Sequence, residues 1–203
     1  MERSVLKSNA KNQLKGKWGI AVIAFLIGII ISSIFVSIDN FVESGSLKVI
    51  LKISNCFVTG AMSYGLSNIS LNFANNDEVQ ISDIFAGFNR KVYLKILGLS
   101  LLVSIIVIIG IIFFIVPGII LALRYSQVYF ILIEDNDKGV IECMKESAEM
   151  MKGHKWEFFV LQLSFILWVI LSIITFGIAL LWVTPYISVT YANYYKSLSN
   201  NEL

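Results

Sequence analysis

Four stretches of this chain run without a charged residue for at least the length of a membrane-crossing helix: Gly19–Ile38, Ile53–Asn76, Ile96–Leu123 and Phe158–Tyr195. Crossing a hydrocarbon core of about 30 Å takes roughly 20 apolar residues. The first two runs have the length of one helix each. The third continues past Arg124 to Ile133, and both it and the fourth are long enough for two helices each and must fold back. "IVPG" around Pro117 and "TFG" around Gly177 are where the reversals are expected, because Pro and Gly stop helices. The pattern predicts an all-α integral membrane protein: six transmembrane helices as three hairpins in one polytopic domain over 1–203. A mean hydropathy of +0.77, with 57% hydrophobic and 15% charged residues, excludes an ordinary soluble domain.

Orientation follows from the basic residues, since loops rich in Lys and Arg stay cytoplasmic. Arg3, Lys7, Lys11, Lys15 and Lys17 precede the first run, and Arg90, Lys91 and Lys95 the third. Lys138, Lys145, Lys152 and Lys155 precede the fourth run, and Lys196 follows it. The opposite side receives only Lys48 and Lys52. Both termini are therefore predicted in the cytoplasm. The first run reads as an uncleaved anchor, because its basic leader is long and "SSIFVSID" offers no small-x-small cleavage site. Cys56 falls inside a span and Cys143 in a cytoplasmic segment, so neither a disulfide nor a metal pair is implied.

Three segments outside the runs have helical periodicity and predict short amphipathic interfacial helices on the cytoplasmic side. Ile81, Ile84, Phe85 and Phe88 recur at i, i+3, i+4, i+7. Val140, Ile141, Met144, Ala148 and Met151 form a second stripe, with Asp137 as its expected N-cap. In the leader, Arg3, Lys7, Lys11 and Lys15 fall every fourth residue and make one basic stripe suited to anionic lipid. Each segment ends near a glycine followed by basic and aromatic residues: "LKGKW" at Gly16, "FAGFNRKVY" at Gly87 and "MKGHKW" at Gly153. This pattern suggests parallel repeats at 1–76, 77–135 and 136–198.

An ionisable residue inside an apolar run is a functional candidate, because Arg at mid-helix costs about 2.5–3.5 kcal/mol even on the lenient insertion scale. Arg124 is that residue, ten positions before Glu134. Asn68, Gln127, Gln162 and Tyr186 are the polar groups placed to join it in a candidate pocket, and the small face Ala61, Gly65, Asn68 and Asn72 turns inward beside them. The alternatives are that Arg124 bonds Asn68, Gln127 or a free carbonyl near Pro117 and holds the helices together, or that it snorkels to the headgroups. Tyr191, Tyr194 and Tyr195 read as an interfacial aromatic belt. His154 is the chain's only histidine and Trp156 beside it a headgroup-level anchor, so no catalytic, cofactor or metal site is assigned.

The segments "IVPGIILALRYSQVYFILIEDND" and "ESAEMMKGHKWEFFVLQLSF", with "TFGI" and Pro185-Tyr186 further on, resemble the bacterial membrane protein family of unknown function 975. The likeness is carried by Pro117-Gly118, Arg124-Tyr125-Ser126, and the spacing of Ser147, Met150 and Gly153. It implies a multi-pass protein of the bacterial inner membrane and brings no activity with it. A looser likeness to the membrane region of some glycerophosphodiester phosphodiesterases hints at lipid-related work.

The chemistry fits a non-enzymatic protein that binds or moves a lipid or other amphiphile, or serves as a transporter accessory. The bilayer and its anionic lipids are the expected partners, together with a second copy of the chain or a transporter; nucleic acid is not, and no cofactor is called for. A membrane-embedded enzyme of lipid metabolism and an ion-coupled transporter are the alternatives. Both suffer from the absence of Asp, Glu and His within the uncharged runs.

Overall fold

The computed structural model describes residues 2–41 and 45–200, and every regular element among them is helical. In chain order these are α1 (Arg3–Leu14), α2 (Trp18–Phe41), α3 (Ser46–Asn75), a 3-10 helix (Ile81–Phe88), α4 (Arg90–Phe113) and α5 (Ile115–Arg124). There follow α6 (Val128–Glu134), α7 (Val140–Met150), α8 (Lys155–Leu163), α9 (Ile166–Ile174) and α10 (Leu180–Ser199). Four segments are long and apolar enough to cross a membrane: Trp18–Phe35, Arg90–Phe113, Ile115–Glu134 and Lys155–Ile174. The third comprises α5 and α6 with a break at 125–127, and the fourth α8 and α9 with a break at Ser164-Phe165. The 30 residues of α3 give it a length of about 45 Å. Its polar residues, Asn55, Thr59, Ser63, Ser67, Asn68 and Asn72 together with Lys48 and Lys52, account for its falling outside that set.

One end of the molecule, its base, is tied together by polar side chains. The last turn of α3 leaves carbonyls without helical partners. Ala74 O accepts from Gln13 Nε2 at 3.0 Å and from Lys196 Nζ at 3.1 Å, which puts a cation at the negative end of the helix. Gln13 and Asn193 exchange side-chain hydrogen bonds of 2.6 and 3.2 Å, fixing α1 to α10. Leu6, Ala10 and Leu14 form the buried stripe of α1. Gly16 and Gly153, at φ +80 and +87, turn the chain out of α1 and α7 in the left-handed region open to glycine.

Phe114 alone separates α4 from α5. The two helices meet where a Cβ on Gly110 would stand 3.0 Å from Gly118 Cα, and one on Gly118 2.8 Å from Ile111 N. The reversal thus precedes the expected "IVPG". Pro117 sits in the first turn of α5, where its missing N–H costs nothing. The second reversal falls where expected, with Phe176 at φ +51 and Gly177 at φ +87. Ile112 to Val116 are each at least 65% exposed and Phe176 98%, so both reversals end in bare apolar side chains.

Two further expectations need correction. Helix α7 starts at Val140 with Gly139 as N-cap, whose N–H donates to Glu142 Oε2 at 2.7 Å; Asp137 instead offers its carbonyl to Lys95 Nζ. The buried face of α7 is Cys143, Met144, Ser147 and Met150, and Ile141 is exposed. Tyr194 and Tyr195 belong to no belt, being 1% exposed and stacked on Phe158 and Phe130. Tyr195 Oη donates to Glu134 Oε2 at 2.6 Å and Tyr194 Oη to the His154 carbonyl at 3.1 Å. Cys56 and Cys143 are both free.

Candidate functional site

The five polar residues picked from sequence do not share a cavity. Arg124 is exposed, in a cleft with Lys145, Ala148, Glu149, Lys152 and Lys155. Tyr186 packs edge-on to Phe165 and Trp168 and faces a crevice with Lys11, Trp18 and Trp182. Asn68 and Gln162 are half-buried, and neither side chain bonds another described residue. Gln127 is fully buried: its Nε2 reaches Ser126 Oγ at 2.8 Å and Met151 Sδ at 3.8 Å, and its Oε1 has no partner among the described residues. The small face of α3 is likewise no pocket wall. It carries the 3-10 helix, with Gly65 against the Ile84 carbonyl and Gly87 against Ala61.

What separates Arg124 from Gln127 is a break in the helix, and α7 repairs it. Ser147 Oγ donates to the Arg124 carbonyl at 2.9 Å and accepts from Gln127 N at 3.3 Å. One hydroxyl satisfies one orphan acceptor and one orphan donor of the interrupted ladder. The break turns Tyr125, Ser126 and Tyr129 toward a second and larger cavity.

That cavity, about 620 Å³, lies between α3, α4 and the α5–α6 break. Asn55, Thr59 and Ser63 line it from α3 at successive i, i+4 positions, and Ser100 and Ser104 from α4 at the same spacing. Val103, Val107 and Ala122 supply apolar wall, and Lys52 and Cys56 its titratable groups beside the tyrosines. Ser100 Oγ donates to Ile96 O at 2.8 Å and meets Tyr129 Oη at 2.9 Å. Ser126 Oγ donates to Leu123 O at 2.8 Å, and Thr59 Oγ1 to Asn55 Oδ1 at 3.2 Å. With several hydroxyl protons engaged locally, the lining presents oxygen lone pairs to a guest. This arrangement can hold a polar headgroup beside an apolar chain. The hydroxyl ladder at i, i+4 inside two apolar runs is its signal in the sequence, and it contains no charge to mark it out.

The four residues of the basic stripe differ in their surroundings. Lys7 turns inward, donating to Ser164 O at 3.0 Å across the α8–α9 break, with its ammonium 4.1 Å from the Phe165 ring centroid. Burial and the neighbouring Arg3 hold its pKa below the usual lysine value. Arg3 and Lys15 stay exposed, and Lys11 reaches the tryptophan crevice. His154 Nδ1 lies 3.4 Å from Glu157 Oε2, and no group of three or more metal-ligating side chains occurs among the described residues.

An all-helical fold with four membrane-length apolar segments and a hydroxyl-lined cleft defines the class: a helical protein suited to a membrane. Family comparison matches residues 1–123 and 104–202 to the family described as "Protein of unknown function (DUF975)", so the chain belongs to that family. No curated protein and no solved structure matches it, and the looser phosphodiesterase likeness finds no support there.

Proposed function

We propose that this is a non-enzymatic multi-pass protein of the bacterial inner membrane that holds a lipid or other amphiphile in the cleft between α3, α4 and the α5–α6 break. The observation that carries the reading is the lining itself, hydroxyl and amide oxygens on two helices beside valine walls, enclosing about 620 Å³. Such a lining orients a guest through few polar contacts and a large apolar surface. The proposed topology has six crossings in three hairpins with both termini in the cytoplasm. The distribution of Lys and Arg supports it, with α3 and α10 as the two crossings that polar residues mask. On this reading the bilayer dips around Arg124. Only ten residues, about 15 Å of helix, separate that cation from Phe114, and bilayers thin to meet such charges.

Thr59 and Ser104 are exposed to the cleft, so phenylalanine at either site fills it without disturbing packed core. Purification with native lipid, followed by mass spectrometry, is expected to recover an enriched amphiphile from the parent protein. Thr59→Phe and Ser104→Phe should lose it at unchanged melting temperature. Equal recovery from all three proteins would reject the cleft as the site.

A further inference from the structure

The cleft around Arg124 lies on another side of α5 from the hydroxyl cavity and has different chemistry. Arg124, Lys145, Lys152 and Lys155 line about 360 Å³ with Ala148 and a single carboxylate, Glu149. Lys7, Lys95, Lys138 and Lys196 are seated on protein oxygens, in turn those of Ser164 O, Asn136 O, Glu146 and Ala74 O, whereas Lys11, Lys15, Lys52 and Lys91 make no side-chain bond to a described residue. None of the four cleft cations hydrogen-bonds or ion-pairs with a described residue. The Arg124 guanidinium lies 5.7 Å from the centroid of the Tyr125 ring.

A second hollow adjoins it. Val116, Ile119, Ile120, Leu123, Lys155, Trp156 and Phe159 form a groove of about 410 Å³ between α5 and α8. Lys155 lines both hollows. On α5 the chain passes from groove to cleft between Leu123 and Arg124. From Leu123 the apolar wall runs seven residues toward Phe114, about 10 Å of helix. Cations at one end and an apolar trough leading from them match one molecule in both halves.

We propose that this composite is a binding site for an anionic phospholipid, its phosphate among Arg124, Lys145, Lys152 and Lys155 and an acyl chain along Val116–Leu123. Four cations against one carboxylate favour a headgroup of net negative charge over a zwitterionic one, whose ammonium they repel. Guanidinium binds phosphate through paired donors, and lysines add point charge. This site is independent of the amphiphile cleft, and its test is separable from that one.

The test uses the full chain in nonionic detergent, titrated with phosphatidylglycerol, phosphatidylcholine and inorganic phosphate and read by native mass spectrometry. Phosphatidylglycerol should bind roughly tenfold or more tighter than phosphatidylcholine. The triple variant Arg124→Gln, Lys152→Gln, Lys155→Gln should erase that preference, whereas Arg3→Gln, Lys11→Gln, Lys15→Gln and the cleft-filling Thr59→Phe should leave it intact. If the triple variant loses its fold, Lys152→Gln alone decides, with an expected loss of about fivefold. Persistence of the preference in the basic-cleft variants overturns the proposal. So does an equal loss in the N-terminal variant, which would make it general surface charge. Displacement of the lipid by millimolar phosphate would mark a free-anion site and overturn it too.

Discussion

Ser147 joins two segments that lie twenty residues apart in the chain, and its value can be measured. Ser147→Ala leaves the Arg124 carbonyl and the Gln127 N–H without their hydroxyl partner. An unsatisfied buried group costs about 1–3 kcal/mol, so a clear fall in melting temperature in detergent is expected. Ser67→Ala is the control. Its hydroxyl only back-bonds to the Ser63 carbonyl on its own helix, at 2.8 Å, and its loss should be close to neutral. Cys143 gives a second residue-level prediction: it is fully buried, and burial pushes its thiol pKa up. Maleimide should leave it unmodified until the protein unfolds. Arg124 was legible in the sequence because a charge interrupts an apolar run. Its companions were not: Lys145 lies on α7 and Lys152 in the turn just beyond it, and periodicity says nothing of where an amphipathic helix lands.

At the scale of elements, the crossing of the 3-10 helix over α3 is held by absent side chains. A Cβ at Gly65 would collide with the Ile84 carbonyl, and one at Gly87 would stand 2.8 Å from Ala61 Cα. Backbone cannot step aside as a side-chain tip can. Gly65→Ala and Gly87→Ala are therefore expected to destabilise by about 1–3 kcal/mol each, the range for overpacking, measured as loss of melting temperature. Wild-type melting in either variant would show that the contact is loose. The apolar spacing of Ile81, Ile84, Phe85 and Phe88 announced a short helix, but its expected buried stripe does not form: the element is a 3-10 helix, and of the four only Ile84 is buried while Ile81, Phe85 and Phe88 are exposed. The spacing of Ala61 and Gly65 announced a close approach, but the partner is the 3-10 helix and no polar pocket. Small residues record that something comes near and leave its identity open.

For the whole molecule, the proposed six crossings predict that a single cysteine at Phe114 or at Gly177, in a cysteine-free background, is labelled by an impermeant reagent from outside the cell. Labelling from the cytoplasm alone, or from neither side, would reject the crossing at that reversal. The helical class and four of the six expected crossings were plain from run lengths, because hydrophobic thickness is a one-dimensional constraint; α3, from the second run, and α10, from the end of the fourth, fall outside the four membrane-length segments. The base was harder to foresee. Tyr194, Tyr195, Gln13 and Asn193 are polar or amphipathic residues that would suit an interface; the meeting of α1, α3 and α10 pairs Gln13 with Asn193, and packing of α10 against Phe158 and Phe130 buries the two tyrosines.

The single-residue link at Phe114 bears on how such a protein is made. The α4–α5 reversal has no polar loop, and Ile112 to Val116 offer a translocation machine nothing hydrophilic to carry across. Joined so closely and touching at Gly110 and Gly118, the two helices can partition into lipid together from the side on which they are synthesised. On the proposed topology the link between α2 and α3, with Glu43 in its sequence and Lys48 in the first turn of α3 just after it, requires hydrated charge to be moved across. Biogenesis of this chain should therefore depend on active translocation chiefly at its first hairpin.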